Sequence, residues 1–171
     1  MRRRLQAMSR HPIVRGMGDV PATPDEEALM RRALERAHRC LDHDDVPIGA
    51  LVAKEGEILA VAGNERELRQ DPTAHAEILA LREASGTLGS WRLDGCVLVV
   101  TLEPCAMCAG AAVLSRVRRV VFGAPDPKAG FVGSLGDLVR DPRLNHRAEV
   151  TGWVLAEESG ELLRAFFRER R

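Results

Sequence analysis

His75 and Glu77 stand two residues apart in Ala74-His75-Ala76-Glu77. Cys105 and Cys108 stand three apart in Pro104-Cys105-Ala106-Met107-Cys108. An imidazole, two thiols and a carboxylate are the parts of a catalytic zinc site. Such a site uses three protein ligands and leaves the fourth tetrahedral position to water. Zinc lowers the pKa of that water from about 15.7 toward about 7, and a carboxylate beside it can take the released proton and pass it on. Each motif alone is weak. A lone histidine is more often a hydrogen-bonded surface or core residue than a ligand, and a lone C-x-x-C fits redox chemistry, zinc or two buried thiols. Together they are specific. A closed structural zinc needs a fourth ligand, and Cys96, lying before a buried strand, reads as core filler. A redox reading of Cys105 and Cys108 accounts for neither His75 nor Glu77. His11, His38, His43 and His146 show no ligand spacing, and Cys40 reads as helix core.

The surrounding elements decide whether these groups can meet. Cys105 and Cys108 are i and i+3 at the start of an Ala-rich helix over 106–115, so both sulfurs can face one point. The helix N-terminus there favours thiolates. His75 lies near the start of another helix, 74–84, with Gly86 placed to end it. On a regular helix Glu77 would sit ~200° around the axis from His75. The pair converges only if the metal lies off the helix end, near the first turn that Asp71-Pro72-Thr73 begins. Upstream, Thr23-Pro24-Asp25-Glu26 has the form of a capping box with proline at the first helical position, and helical spacing of apolar residues continues it over 24–42. Stretches 48–53 and 57–62 flank Lys54-Glu55-Gly56 and read as a hairpin. Strands are expected at 97–101, 118–123 and 148–155, and a last helix at 157–170 with Leu162, Leu163, Phe166 and Phe167 on one side. The Gly/Pro/Asp-containing stretch 124–146 is expected to include a short helix. The order predicts an α/β fold: a three-layer α/β/α sandwich with a mixed five-stranded sheet, an initial hairpin and parallel last strands.

Composition bounds the rest. A chain of 171 residues with 45% hydrophobic and 29% charged residues is one ordinary globular domain rather than a disordered or fibrous chain. No apolar run nears the ~20 residues that span a bilayer, so no integral membrane role is expected. Aromatics are 4% and Tyr is absent, which disfavours a broad base-stacking platform. Net charge is zero but uneven: residues 1–20 carry +4, residues 164–171 carry +3, and the middle carries the balancing −7. Cationic ends can touch phosphates even when the whole is neutral; as solvated tails they have a blander use. Four cysteines are too few for a disulfide scaffold, and Arg2–Arg4 are not followed by an apolar secretory segment. The expectation is a reducing, cytoplasmic setting, with residues 1–20 a disordered basic extension and 21–171 a single domain.

H-x-E followed by P-C-x-x-C matches the signature of the zinc nucleobase deaminases. Over about residues 24–171 the chain resembles the bacterial-type tRNA-specific adenosine deaminases of the cytidine/deoxycytidylate deaminase superfamily. The matching stretches include Val46-Pro47-Ile48-Gly49-Ala50, Gly63-Asn64, Asp71 to Ile78, Thr101-Leu102-Glu103-Pro104-Cys105, Met107-Cys108-Ala109-Gly110, Val120 to Ala124, Asn145-His146-Arg147 and Phe166-Phe167-Arg168. The resemblance implies a cytidine-deaminase-like fold and hydrolytic conversion of adenosine to inosine at the wobble position of a tRNA anticodon, that of an arginine tRNA. It implies one zinc ion per subunit held by His75, Cys105 and Cys108, with Glu77 as proton shuttle. It further implies that Asn64 hydrogen-bonds the base, and that Pro47 and Pro104 shape the pocket wall. Asp126 and Lys128 would then lie along the RNA path, and the region of Phe166, Phe167 and Arg168 would hold the anticodon stem-loop. A flipped loop base suits such a pocket, since single-stranded RNA is read by splaying bases out. A homodimer is also implied, and the small residues of Ala106–Ala112 suit close packing. Pro125 departs from the basic residue common in the family, and Leu114 from a polar one.

Overall fold

A computed structural model describes residues 20–170. The extension expected to be disordered lies, but for its last residue, outside the described residues. Helix α1 (Pro24–His38) begins at the expected capping box. Thr23 Oγ1 accepts from Glu26 N at 3.2 Å, and Glu26 Oε2 accepts from Thr23 N at 2.9 Å. The helix does not reach residue 42 as expected. It tightens into a 3-10 turn, Arg39–His43, and closes on Asp44 at φ 66°. Such tightening lets the last carbonyls find i+3 partners.

Strands β1 (Gly49–Lys54) and β2 (Glu57–Gly63) form the expected hairpin, turning through Glu55 and Gly56, both at positive φ. A four-residue helix, α2 (Arg66–Arg69), follows where no element was expected. Helix α3 (Ala76–Leu88) runs through Gly86 and stops at Gly89, whose φ of 63° is the left-handed cap a glycine adopts without strain. Then come β3 (Val97–Leu102), α4 (Ala106–Ser115), β4 (Arg119–Ala124), β5 (Glu149–Thr151) and α5 (Ala156–Arg168). The short helix expected within 124–146 is not among the described elements; that segment is turns and isolated bridges. Strand β5 has three residues, not the expected eight. Trp153 and Leu155 take positive φ, and Val154 N bonds Phe122 O, so the chain leaves the sheet and turns into α5.

The sheet order is β2-β1-β3-β4-β5. Strand β1 is antiparallel to β2 and β3, while β3, β4 and β5 are parallel, as expected. Side chains alternate between two faces with period two. Ala50, Val52, Leu98, Val100, Val120 and Phe122 pack under α3 and α4. Leu51, Ala53, Val99 and Val121 pack under α1, with Met30, Ala33 and Val154. The architecture is therefore the three-layer sandwich. Gly49 lies where α1 crosses β1 so closely that a Cβ would collide with the Ala33 carbonyl. Among the described residues no helix is long and apolar enough to cross a membrane.

Candidate metal centre

The segment entering α3 from α2 and the segment entering α4 from β3 each end in a potential ligand. His75 is the N-cap of α3 with extended backbone, φ −73° and ψ 149°. Cys105 is the N-cap of α4, φ −70° and ψ 175°. Because His75 precedes the helix, its side chain is not bound by the ~200° helical offset. It can share a space with Glu77, which sits in the first turn. This is the off-the-end arrangement that the spacing required.

His75 Nδ1 lies 3.7 Å from Cys105 Sγ and 3.5 Å from Cys108 Sγ. The three donor atoms all fall within 4.8 Å of one another. Zinc bonds of about 2.3 Å to sulfur and about 2.0 Å to nitrogen place tetrahedral S and N ligands about 3.5 Å apart. The donor set and its spacing therefore fit zinc. The electrostatics agree. Cys105 is lowered to about 4, first by a hydrogen bond from the Cys108 thiol and then by the bond to His75, against the opposing effect of burial. Cys108 is raised, as the donor in that bond and through burial. His75 is raised, chiefly by its bond to Cys105. Glu77 is 4% exposed, and that burial pushes its carboxyl up. Cys40 and Cys96 are both buried and raised by desolvation, and neither lies in the cluster.

Asn64 follows the last residue of β2. Glu65 N bonds Ala74 O at 3.0 Å, which holds this strand end beside the approach to His75. Asn64 Nδ2 donates to Val46 O at 3.2 Å, while the buried Asn64 Oδ1 has no partner among the described residues. An acceptor left unpaired in a buried position is costly unless something else donates to it. Asn64 also lines an open cavity of about 330 Å³ with Asp44, Asp45, Val46, Arg66, Glu67, Phe166 and Arg170. None of His75, Cys105 and Cys108 lines this cavity.

Pro47 and Pro104 are buried. Asp126 Oδ1 accepts from Lys128 N at 2.9 Å and Ala129 N at 3.2 Å, so it shapes its own turn, and Lys128 is exposed. Of the adjacent phenylalanines, Phe166 is buried, lines the cavity and carries the Arg170 guanidinium over its ring at 3.6 Å, whereas Phe167 is 51% exposed.

Two carboxylates escaped the sequence reading. Asp45, fully buried, accepts from Glu67 N at 2.8 Å, Leu68 N at 3.0 Å and His43 Nδ1 at 2.9 Å, and so holds α2 beside Val46. Glu103 is buried two residues before Cys105.

Residues 24–171 match the MafB19-like deaminase family. A tRNA-specific adenosine deaminase of Bacillus subtilis is 53% identical over 146 residues, covering 85% of this chain and 91% of that protein. A structure from work on A-to-I editing by tRNA:A34 deaminases at the wobble position superposes with a TM-score of 0.74 at 40% identity, covering 80% of this chain and 99% of the other. A structure of guanine deaminase from Nitrosomonas europaea superposes with a TM-score of 0.70 at 28% identity, covering 97% of each chain.

Proposed function

The chain belongs to the MafB19-like deaminases and, among them, to the tRNA-specific adenosine deaminases, and from that premise we propose that it converts adenosine to inosine at the wobble position of a tRNA anticodon, with zinc as cofactor and an arginine tRNA as substrate. The observation that carries this reading is the convergence of His75, Cys105 and Cys108 at two helix starts, with the buried Glu77 alongside. These three would hold one zinc ion per subunit. When bound, zinc supplies Lewis-acid activation that makes a water nucleophilic near neutral pH.

Glu77 takes a proton from the water that attacks C6 of adenine and delivers it to N1. It then takes the proton of the new C6 hydroxyl and gives it to the departing amine, so that the C6 carbonyl forms and inosine and ammonia leave. Burial, which raises its carboxyl, suits a group that must be protonated for part of each cycle. The unpaired Asn64 Oδ1 accepts from the base. Pro47 and Pro104 form rigid walls, and Asp126 and Lys128 lie along the RNA path. The Phe166–Phe167 region, with the arginines that follow, steadies the anticodon loop. The proposal includes a homodimer and a cytoplasmic setting.

Incubation of the zinc-loaded protein with an adenosine-containing anticodon stem-loop is expected to give inosine. The absence of inosine would reject the reading. The likeness to guanine deaminase supports a second reading, deamination of a free base. Ammonia release from free bases without editing of RNA would establish it instead.

A further inference from the structure

Glu103 takes no part in the reaction proposed above, yet it is one of the largest fully buried side chains, 2% exposed. Its Oε1 accepts from Val132 N at 3.0 Å and from Ser134 N at 2.9 Å. Its Oε2 accepts from Asp126 N at 2.9 Å and from the Ser134 hydroxyl. Three of these donors are backbone N–H groups, which can only donate, so the side chain must act as acceptor. Hydrogen bonds from one loop thus replace the water that a buried carboxylate gives up.

The same loop closes over the entry to α4. Phe131 N donates to Pro104 O at 2.8 Å, and Cys105 pairs with Gly130 in an isolated bridge. Gly130 has no room for a side chain, because a Cβ there would run into the Glu103 carboxylate. The loop's backbone therefore lies directly on the acid, and Asp126 and Lys128 are part of it.

We propose that Glu103 is a positioning residue whose buried carboxylate clasps the 126–134 loop against the segment leading into Cys105 and thereby fixes the RNA-facing wall of the site. The last clause rests on the editing reading; the clasp itself does not.

Glu103→Gln keeps the side chain's size but, either way round, sets its amide N–H₂ against at least one backbone N–H that can only donate. In the zinc-loaded protein it is expected to speed amide exchange of peptides covering 126–134 by about tenfold while β1 and β3 keep their protection. Zinc content should stay that of the parent. KM for the stem-loop should rise about tenfold with kcat within about threefold, because a mobile wall weakens binding more than it alters the reacting groups. Ser134→Ala, which removes one donor, should shift exchange in the same segment by a smaller factor, and it carries the test if Glu103→Gln does not fold. Unchanged exchange of the loop in both variants would overturn the proposal. So would acceleration spread evenly over the sheet, loss of zinc, or a fall in kcat with KM unmoved. If the parent leaves the stem-loop unedited, the editing reading and the RNA clause fall together, while the exchange pattern still decides for or against the clasp.

Discussion

Glu77 has a setting that matches one job. Desolvation raises its carboxyl, and its place in the first turn of α3 puts it within the field of His75 and Cys105. Glu77→Ala is expected to lower inosine formation by about three orders of magnitude. Zinc content by elemental analysis should be unchanged, because the three donors do not include it. The thiols differ as sharply. Cys105 is lowered to about 4, whereas Cys108, Cys40 and Cys96 are raised. In chelator-stripped protein at pH 6, iodoacetamide should therefore label Cys105 first, read by peptide mass spectrometry, because the thiolate is the nucleophile. Since the shift is downward, labelling should fade only as pH drops through about 4. At this scale the three donors and Glu77 were legible, because an imidazole, two thiols and a carboxylate in two short motifs carry their own signal. The burial of Asp45 and Glu103 was not. Their partners are backbone N–H groups at Glu67 and Leu68, and at Asp126, Val132 and Ser134, which only the fold brings near.

Helices and strands declared themselves where one physical cause dominates. The capping box at Thr23 and Glu26 formed as read, and the near-continuous apolar runs of β1, β3 and β4 reflect burial on both faces of the sheet. Boundaries slipped where causes compete. Gly86 costs α3 about 1 kcal/mol against Ala, too little to end it, so the helix passes it and stops at Gly89, whose φ is 63°. The stretch after Ala148 reads as a long strand, but positive φ at Trp153 and Leu155 turns the chain out of the sheet, and the Val154 side chain packs into the core beneath α1. The start of α1 is tied to the sheet as well. Glu26, which caps Thr23 with one oxygen, gives the other to Arg119 at 2.8 Å, and Arg119 also pairs with Glu149. Thr23→Ala should cost about 1 kcal/mol in urea denaturation. Glu26→Ala should cost about 3 kcal/mol, since it also leaves a largely buried Arg119 short of a partner.

Seen whole, the molecule keeps its cohesion apart from its chemistry. The two apolar clusters on either side of the sheet include none of His75, Cys105 and Cys108. Chelation should therefore leave far-ultraviolet dichroism almost unchanged and lower Tm by about 10 °C, the loss expected when a ligand at about a thousand times its Kd is withdrawn. Collapse of the dichroism on chelation would show that the ion is part of the scaffold. His75 and Cys105, each the residue just ahead of a helix, are separated along the chain by all of α3 and β3. Their side chains come within reach of each other only after the central strand is seated and both helices have settled on one face. On the proposed zinc reading, capture of the ion then follows the seating of the sheet. On that same reading, a cell starved of zinc would hold a folded, silent reserve of this protein, ready to be switched on by supply without any new synthesis.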